Sequence, residues 1–358
     1  LKNGTGTVGF GLVGTGMAGG FHARELAFVE GAELVAVCSR NENNVRRFAE
    51  EHGVKTWATN YRELLDNDDV DVVCVLVPTG LHAELTIAAS QAGKHVLVEK
   101  PLETTLAKAD EMIRVCRDNG TKLGVIFQMR FGSVAARLKQ LLESGAMGTI
   151  YLADAIDKSS RTPAYYASAE WRGTTELEGG GCLMTQSIHI VDLLQHLVGP
   201  VRSVTGRVAT KRHTIEVEDT ATALVSFESG AMGVIESTTS VVPALRSRLE
   251  IHGKNGSVVA NAQYDKILLW DVKDYPLEEI AIEIEPPSPL TDIDDPWAYP
   301  QTRHRVQLQD MVDAVRDDRD PVLTGEDARV SLAIVSAIYE SSRTGKEVIL
   351  AEPKPESA

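Results

Sequence analysis

The chain is short of several things, and each shortage excludes a class of protein. Of its 358 residues only four are cysteine: Cys38, Cys74, Cys116 and Cys182. They are far apart, sit mostly in apolar runs and form no C-x-x-C pair. They are expected to be buried free thiols in a reducing cytoplasm, rather than zinc ligands or disulfides. Basic residues are also scarce. Lys and Arg number 36 against 51 Asp and Glu, a net charge of −15. That balance disfavours nucleic acid and anionic membrane surfaces as partners, because both need a basic footprint. No run reaches the ~18 apolar residues of a membrane span. Leu1–Thr7 has no initiator Met and is polar, without the apolar core of a signal peptide. Internal repeats and low-complexity tracts are absent.

What is present is globular: 43% hydrophobic and 24% charged residues, at a length that suggests about two domains. The first third alternates strands and helices. Strand-like runs are expected at Val8–Val13, Glu33–Cys38, Val70–Val77, His95–Val98 and Leu123–Phe127. Helices are expected at Ala18–Val29, Val45–Glu51, Leu81–Ala92 (with Gly93 beyond its end) and Leu106–Asn119. Continuous apolar strands alternating with helices imply a parallel sheet covered on both faces.

After about Gln128–Phe131 the pattern changes. A helix at Ser133–Ser144, a strand at Ile150–Lys158 and a long helix at Gly181–Leu197 come first. Strand-like runs then follow at Val201–Thr210, Thr220–Phe227, Ala231–Ser237, Arg248–His252, Ser257–Asn261, Lys266–Trp270 and Glu278–Ile284. Turn residues separate several of them, as in an antiparallel sheet. Helices at Arg303–Arg316 and Gly325–Thr344 close the chain. The expected fold class is an α/β Rossmann domain with a doubly wound parallel sheet, followed by an α+β domain with a large, mostly antiparallel open sheet. The expected boundaries are 1–128, 129–350 and a frayed tail at 351–358.

Three clusters carry chemistry. Gly14-Thr15-Gly16-Met17-Ala18-Gly19 is a G-x-G-x-x-G between the first strand and the first helix. There Gly14 permits the turn, Gly16 lets a pyrophosphate approach the backbone and Gly19 lets the helix pack on the sheet. The helix N-terminus adds N–H donors and a positive dipole end. At the end of the second strand, an acidic residue would grip the ribose 2′-hydroxyl of NAD. Here the chain reads Cys38-Ser39-Arg40-Asn41, and Ser39 and Arg40 suit a 2′-phosphate. NADP(H) is therefore expected over NAD(H). The alternative is that Arg40 stacks on adenine, which leaves NAD acceptable.

Glu99-Lys100-Pro101 follows the fifth strand, where open α/β sheets bind ligands. Lys100 is placed to exchange a proton or polarise a substrate oxygen. Taken alone, it reads as an ordinary surface lysine. The third cluster is Gly179-Gly180-Gly181 followed by Cys182 to Asp192. Its glycines are expected to let a helix start close to a ligand. Thr185, His189 and Asp192 stand at i, i+4 and i+7, on one helical face. Asp192 is expected either to bond His189 or to sit in solvent.

Together these clusters resemble the glucose–fructose oxidoreductase / inositol dehydrogenase / rhizopine-catabolism (Gfo/Idh/MocA) family. The resemblance covers nearly the whole chain. It runs through Pro78 to His82, Gly93 to Val96, Glu99-Lys100-Pro101, Arg130-Phe131, Trp171-Arg172 and Gly179 to His189. It implies an NAD(P)-dependent dehydrogenase or reductase that moves a hydride between a nicotinamide and a ring hydroxyl or carbonyl of a sugar, cyclitol or polyol. It also implies a homo-oligomer, dimer or tetramer, formed through the C-terminal sheet. Lys100 and His189 become the catalytic pair, and the Lys-Pro bond is often cis. Cofactor contacts fall to Gly14, Thr15, Gly16, Met17, Ala18, Ser39, Arg40, Pro78, Thr79, His82, Glu99 and Lys100. Substrate contacts fall to Lys100, Arg130, Tyr165, Tyr166, Trp171, Arg172, Thr185, Gln186 and His189. Aromatic faces suit sugar C–H surfaces, and Arg suits hydroxyls or an anionic group. For His82 a pocket role and a helix-start role stand side by side. No metal is expected.

One position departs from the family pattern. Many relatives carry Asp four residues before the histidine, where this chain has Thr185. Two other readings follow. One is a glycosidase of the same fold that uses tightly held NAD. The other is a regulator that senses a dinucleotide without turning it over. Such regulators tend to lose the lysine of Glu-Lys-Pro; Lys100 argues for catalysis, while Thr185 leaves room for a sensor.

Overall fold

The computed structural model describes residues 6–245, 247–263, 265–277 and 302–350. The chain divides into two compact units. The first comprises Leu1–Phe131, Glu176–Gly179 and Pro300–Arg329; the second comprises Gly132–Thr175, Gly180–Tyr299 and Val330–Ala358. A single cut after residue 128 therefore misses a return of the chain. A late helix folds back onto the first unit.

The first unit is built on six parallel strands: β1 (Val8–Val13), β2 (Ala32–Cys38), β3 (Thr56–Ala58), β4 (Val72–Val75), β5 (His95–Val98) and β6 (Leu123–Val125). Their order is β3-β2-β1-β4-β5-β6. The order reverses between β1 and β4, and that switch point is where doubly wound sheets open a crevice for ligands. β1 and β4 are buried along their whole length, so their apolar runs are continuous rather than alternating. The connecting helices are α1 (Met17–Leu26), α2 (Glu42–His52), α3 (Tyr61–Leu65), α4 (His82–Gln91) and α5 (Leu106–Asp118). Gly93, at φ +74°, follows α4 and donates its N–H to Ser90, the left-handed stop expected of it.

β3 and α3 were not expected. β3 is three residues long with two of them exposed, too short to show a period. α3 is five residues long and begins where Asn60 accepts the Arg62 N–H. The returning helix is α10 (Thr302–Arg316), one of the expected helices. Its Leu308, Met311 and Val312 join the core around Val8, Phe10 and Leu12. Arg305 pairs with Glu25 at 2.9 Å, and Gln309 accepts the Glu30 N–H at 2.9 Å.

Among the described residues the second unit holds eight strands: β7 (Ile150–Lys158), β8 (Val201–Ala209), β9 (Thr220–Phe227), β10 (Met232–Thr238), β11 (Arg248–Gly253), β12 (Gly256–Asn261), β13 (Lys266–Val272) and β14 (Val348–Ile349). The order is β13-β12-β11-β7-β10-β9-β8-β14, with β7 and β10 parallel and the other pairs antiparallel. Ala221, Ala223, Val225 and Phe227 alternate with exposed residues along β9, the period-two signature of a one-sided sheet. Its helices are α6 (Ser133–Glu143), α7 (Pro163–Ala167), α9 (Ile188–Val198) and most of α11 (Gly325–Thr344), with the short α8 (Thr175–Glu178) at the point where the chain passes between units. The strand expected at Glu278–Ile284 lies outside the described residues.

The long helix expected at Gly181–Leu197 is not uniform. Leu183–Ser187 forms a π-helical turn and α-helix begins only at Ile188. The regular i, i+4 spacing therefore does not describe the path from Thr185 to His189. All four cysteines are free and buried. No helix among the described residues is long and apolar enough to cross a membrane.

Candidate active site

At the carboxyl end of β1, the three motif glycines meet different neighbours. Gly14 adopts φ +118°, and a Cβ there would lie 2.2 Å from the Leu76 carbonyl oxygen. A Cβ on Gly19 would lie 2.4 Å from the Gly14 carbonyl oxygen, so α1 can pack this closely only on glycine. Above Gly16 there is open space: a Cβ meets nothing within 4 Å. Gly16 is also the N-cap of α1, with no side-chain cap and no acid in the first turn. The positive helix end, with Met17 and Ala18 in its first turn and Thr15 just before it, thus stays available to an anion. This is the cradle a dinucleotide pyrophosphate requires, and the residues present fit it.

Beside it, the Ser39 N–H bonds the Ala58 carbonyl at 3.2 Å, fixing the end of β2. Arg40 follows, exposed. Asn41 caps α2 by accepting the Asn44 N–H at 3.0 Å.

Pro78 and Thr79 follow β4, with Thr79 buried. The next residue of note, His82, opens α4 and is 1% exposed. Its Nε2 lies 2.9 Å from the Val77 carbonyl, and its Nδ1 lies 3.0 Å from that of Pro101 and 3.3 Å from that of Leu102. Burial pushes the ring's pKa down, against the opposing pull of these carbonyls. The structure thus spends this ring on joining the end of β4 to the Lys100–Pro101 turn, whose peptide bond is cis.

Glu99 turns towards α1. Its Oε1 lies 3.1 Å from His22 Nε2, and its Oε2 accepts the Lys100 N–H at 3.2 Å. His304 from α10 stacks edge-on to His22 at 5.8 Å. Burial alone would raise the Glu99 pKa, but the His22 hydrogen bond and the neighbouring His22, His304 and Lys100 hold it down to about 2. Lys100 itself is half-buried. Arg130, also half-buried, lies in a 3-10 turn after β6 in the same unit.

The glycine run Gly179-Gly180-Gly181, where the chain enters the second unit, does something other than make room for a ligand. A Cβ on Gly179 would fall 2.6 Å from Thr104 Cβ, one on Gly180 2.1 Å from the Tyr339 hydroxyl, and one on Gly181 1.6 Å from the Glu218 carbonyl oxygen. Protein already fills all three places. Glu218 organises the segment. It is 6% exposed, and its carboxylate accepts the N–H groups of Gly181 at 2.8 Å and Leu183 at 3.0 Å and the Tyr339 hydroxyl at 2.9 Å. Burial pushes its pKa up. Next to it, Asp219 accepts three successive backbone N–H groups, from Lys211, Arg212 and His213.

His189 is buried in α9. Thr185 turns its hydroxyl back to the Gly181 carbonyl at 2.8 Å. Asp192 does not sit in solvent: it is 1% exposed and accepts the Ser331 hydroxyl at 2.6 Å.

Tyr165, Trp171, Arg172 and Gln186 do come together. Arg172 lies over the rings of Tyr165 and Trp171, and Tyr165 and Tyr166 meet edge to face at 5.1 Å. Gln186 is within 3.5 Å of the Tyr165 hydroxyl. Arg161 completes the group by donating to Gln186 Oε1 at 2.7 Å. Sequence reasoning missed His22, Arg161, Glu218 and Asp219. The signal for the last two was an acidic pair at the head of a β-strand, where acids are seldom buried unless they are bonded.

Residues 8–127 match the family model described as "Oxidoreductase family, NAD-binding Rossmann fold", and residues 135–259 match the "GFO/IDH/MocA C-terminal domain". The chain belongs to the GFO/IDH/MocA family. Two curated relatives are similar to it. One is the myo-inositol 2-dehydrogenase of Thermotoga maritima, 28% identical over 96% of this chain and 98% of that protein. The other is scyllo-inositol 2-dehydrogenase (NADP(+)) IolW of Bacillus subtilis, 30% identical over 71% of this chain and 68% of that protein. Among solved structures, the WlbA dehydrogenase of Bordetella pertussis, in complex with NADH and UDP-GlcNAcA, matches with a TM-score of 0.85. It is 30% identical over 97% of this chain and all of that one. Membership makes this chain an oxidoreductase with a Rossmann domain and a mostly antiparallel second sheet.

Proposed function

We propose that this GFO/IDH/MocA protein transfers a hydride between a nicotinamide cofactor and a ring hydroxyl or carbonyl of a sugar, cyclitol or related polyol. The observation that carries the reading is the open space above Gly16 at an uncapped helix end, on the same sheet edge as Lys100. The inositol substrates in the relatives' names support a polyol. The nicotinamide, when bound, supplies the hydride acceptor or donor.

The chain's own residues do the rest. Backbone N–H groups of Thr15 to Ala18 hold phosphate oxygens. Ser39 and Arg40 hold the adenosine ribose, and Arg40 favours NADP(H) over NAD(H) because its guanidinium forks onto a 2′-phosphate. Pro78 and Thr79 border the nicotinamide half, while His82 and Glu99 position the Lys100 turn. Either Lys100 Nζ or the His189 imidazole takes the hydroxyl proton in oxidation and returns it in reduction. Thr185, bonded back to Gly181, orients this helix start. Arg130, Tyr165, Trp171, Arg172 and Gln186 bind the substrate.

The test is a screen of sugars, inositols and sugar acids with both cofactors, read by nicotinamide absorbance. Lys100→Ala should cut turnover by about 100-fold or more with cofactor binding nearly intact; unchanged turnover would sink the assignment.

The second sheet leaves Tyr151, Leu224, Met232 and Leu269 exposed, with Met232 paired beside Leu152. These exposed apolar side chains on one sheet support a homo-oligomer in which a second copy covers them. Leu224→Arg with Met232→Arg should then lower the assembly's mass in sedimentation, and an unchanged mass would exclude this face. The four buried thiols support a reducing cytoplasm.

A further inference from the structure

Several arginines of the chain meet acids. Arg114 pairs with Asp118, Arg117 with Glu326, Arg248 with Glu250 and Arg305 with Glu25. With 51 acids to 36 bases, that is the ordinary outcome. Arg161 and Arg172 make no such pair among the described residues, and they share a ring. Their guanidinium carbons lie 5.0 and 4.2 Å from the centre of one ring, that of Tyr165, and Arg172 lies 4.5 Å from the ring centre of Trp171.

The polar partners of both are neutral. Arg161 donates to the Ser160 carbonyl at 3.1 Å and to Gln186 Oε1 at 2.7 Å; Arg172 donates to Ser168 Oγ at 3.0 Å. Among the described residues neither meets a carboxylate. Arg161 Nε is buried and has no hydrogen-bond partner there. Two guanidiniums around one ring repel each other, and the faces of Tyr165 and Trp171 offset only part of that cost. An anion would complete the cluster, because the planar fork of Arg matches carboxylate and phosphate oxygens. Gln186 ties the group to the helical segment that carries His189 three residues later.

We propose that Arg161 and Arg172 bind an anionic group, carboxylate or phosphate, carried by the sugar, so that the enzyme acts on acidic sugars in preference to neutral polyols. This rests on the reading of the site given under Proposed function.

The test is calorimetric binding to the full-length protein with saturating reduced cofactor, using matched ligands: glucose, glucuronate and glucose 6-phosphate, then UDP-glucose and UDP-glucuronate. In the wild type at least one acidic ligand should bind about ten-fold or more tightly than its neutral partner. A carboxylate preference identifies a sugar acid, and a phosphate preference identifies a sugar phosphate. In Arg161→Gln and in Arg172→Gln the advantage should fall to about three-fold or less. The wild-type comparison, repeated at rising salt, stands even if a variant fails to fold, and the advantage should shrink with ionic strength. Equal binding of acidic and neutral ligands, or an advantage that survives in both variants, overturns the proposal. Tight binding of an acidic sugar without hydride exchange would overturn the proposed activity and leave this site standing. Oxidation of neutral polyols without any acid preference would do the reverse.

Discussion

Gly16 and Gly181 both belong to glycine-rich segments that lead into a helix. A methyl group added at Gly16 meets nothing within 4 Å; added at Gly181 it falls 1.6 Å from the Glu218 carbonyl oxygen. The first segment is small because something outside the chain has to come close. The second is small because the chain itself is already there. The same contrast runs through the charged residues. Arg40 is exposed at the end of β2, whereas Glu99 is held by His22 and by its neighbour's N–H. Glycine or charge at a sheet edge marks close approach, and packing decides whether the approaching group is ligand or protein.

The most decisive way to break this contrast is to add the methyl groups. Gly181→Ala should cost about 3 kcal/mol or more, because backbone rather than a flexible side chain must yield. Gly16→Ala should change stability by about 1 kcal/mol or less, the scale of an N-cap exchange, while weakening dinucleotide binding about ten-fold or more. Urea unfolding and cofactor titration on both variants separate the two. Similar losses of stability would erase the distinction.

Arg40 sharpens the ligand side. Arg40→Ala should weaken NADP about 10- to 100-fold, the loss of charge-assisted bonds to one phosphate, and NAD by less than about three-fold. Equal losses for the two cofactors would remove the preference for the 2′-phosphate.

The smallest effect belongs to Glu99, on the protein side. Its carboxyl is held at about 2 against an ordinary 4.5. The stabilisation from this depressed pKa is fully present above 4.5 and is lost as pH falls from there towards 2. Glu99→Gln should lower the melting temperature at pH 7 by a few degrees, on the order of 1–2 kcal/mol, and the two curves should converge as pH falls from 4.5 towards about 2. A constant gap at all pH values would mean that shape, not charge, is what the His22 contact supplies.

Much of the fold was legible locally. β1, β5, β7, β9 and α11 fall on the expected residues, because each carries a complete hydrophobic period or a complete apolar run. β3 and α3 carry too few residues for any period to be read. The π turn at Leu183–Ser187 uses the same residue types as an α-helix and differs only in how the carbonyls are shared. The cradle at Gly14–Gly19 was visible because its parts are neighbours in sequence. The Arg161–Tyr165–Arg172 cluster was visible only in part, since Arg161 joins it through Gln186, 25 positions away.

The sequence by itself determined the alternation of strands and helices, the turn that can receive a pyrophosphate, and the family. These depend on residues within a few positions of one another. Only the tertiary structure decided that Glu218 fills the space at Gly181 across 37 positions and that α10 completes the first unit. It alone brought two arginines to one ring without an acid among the described residues. Those outcomes depend on which distant atoms exclude each other and which charges lose their water, and neither is written in any local pattern.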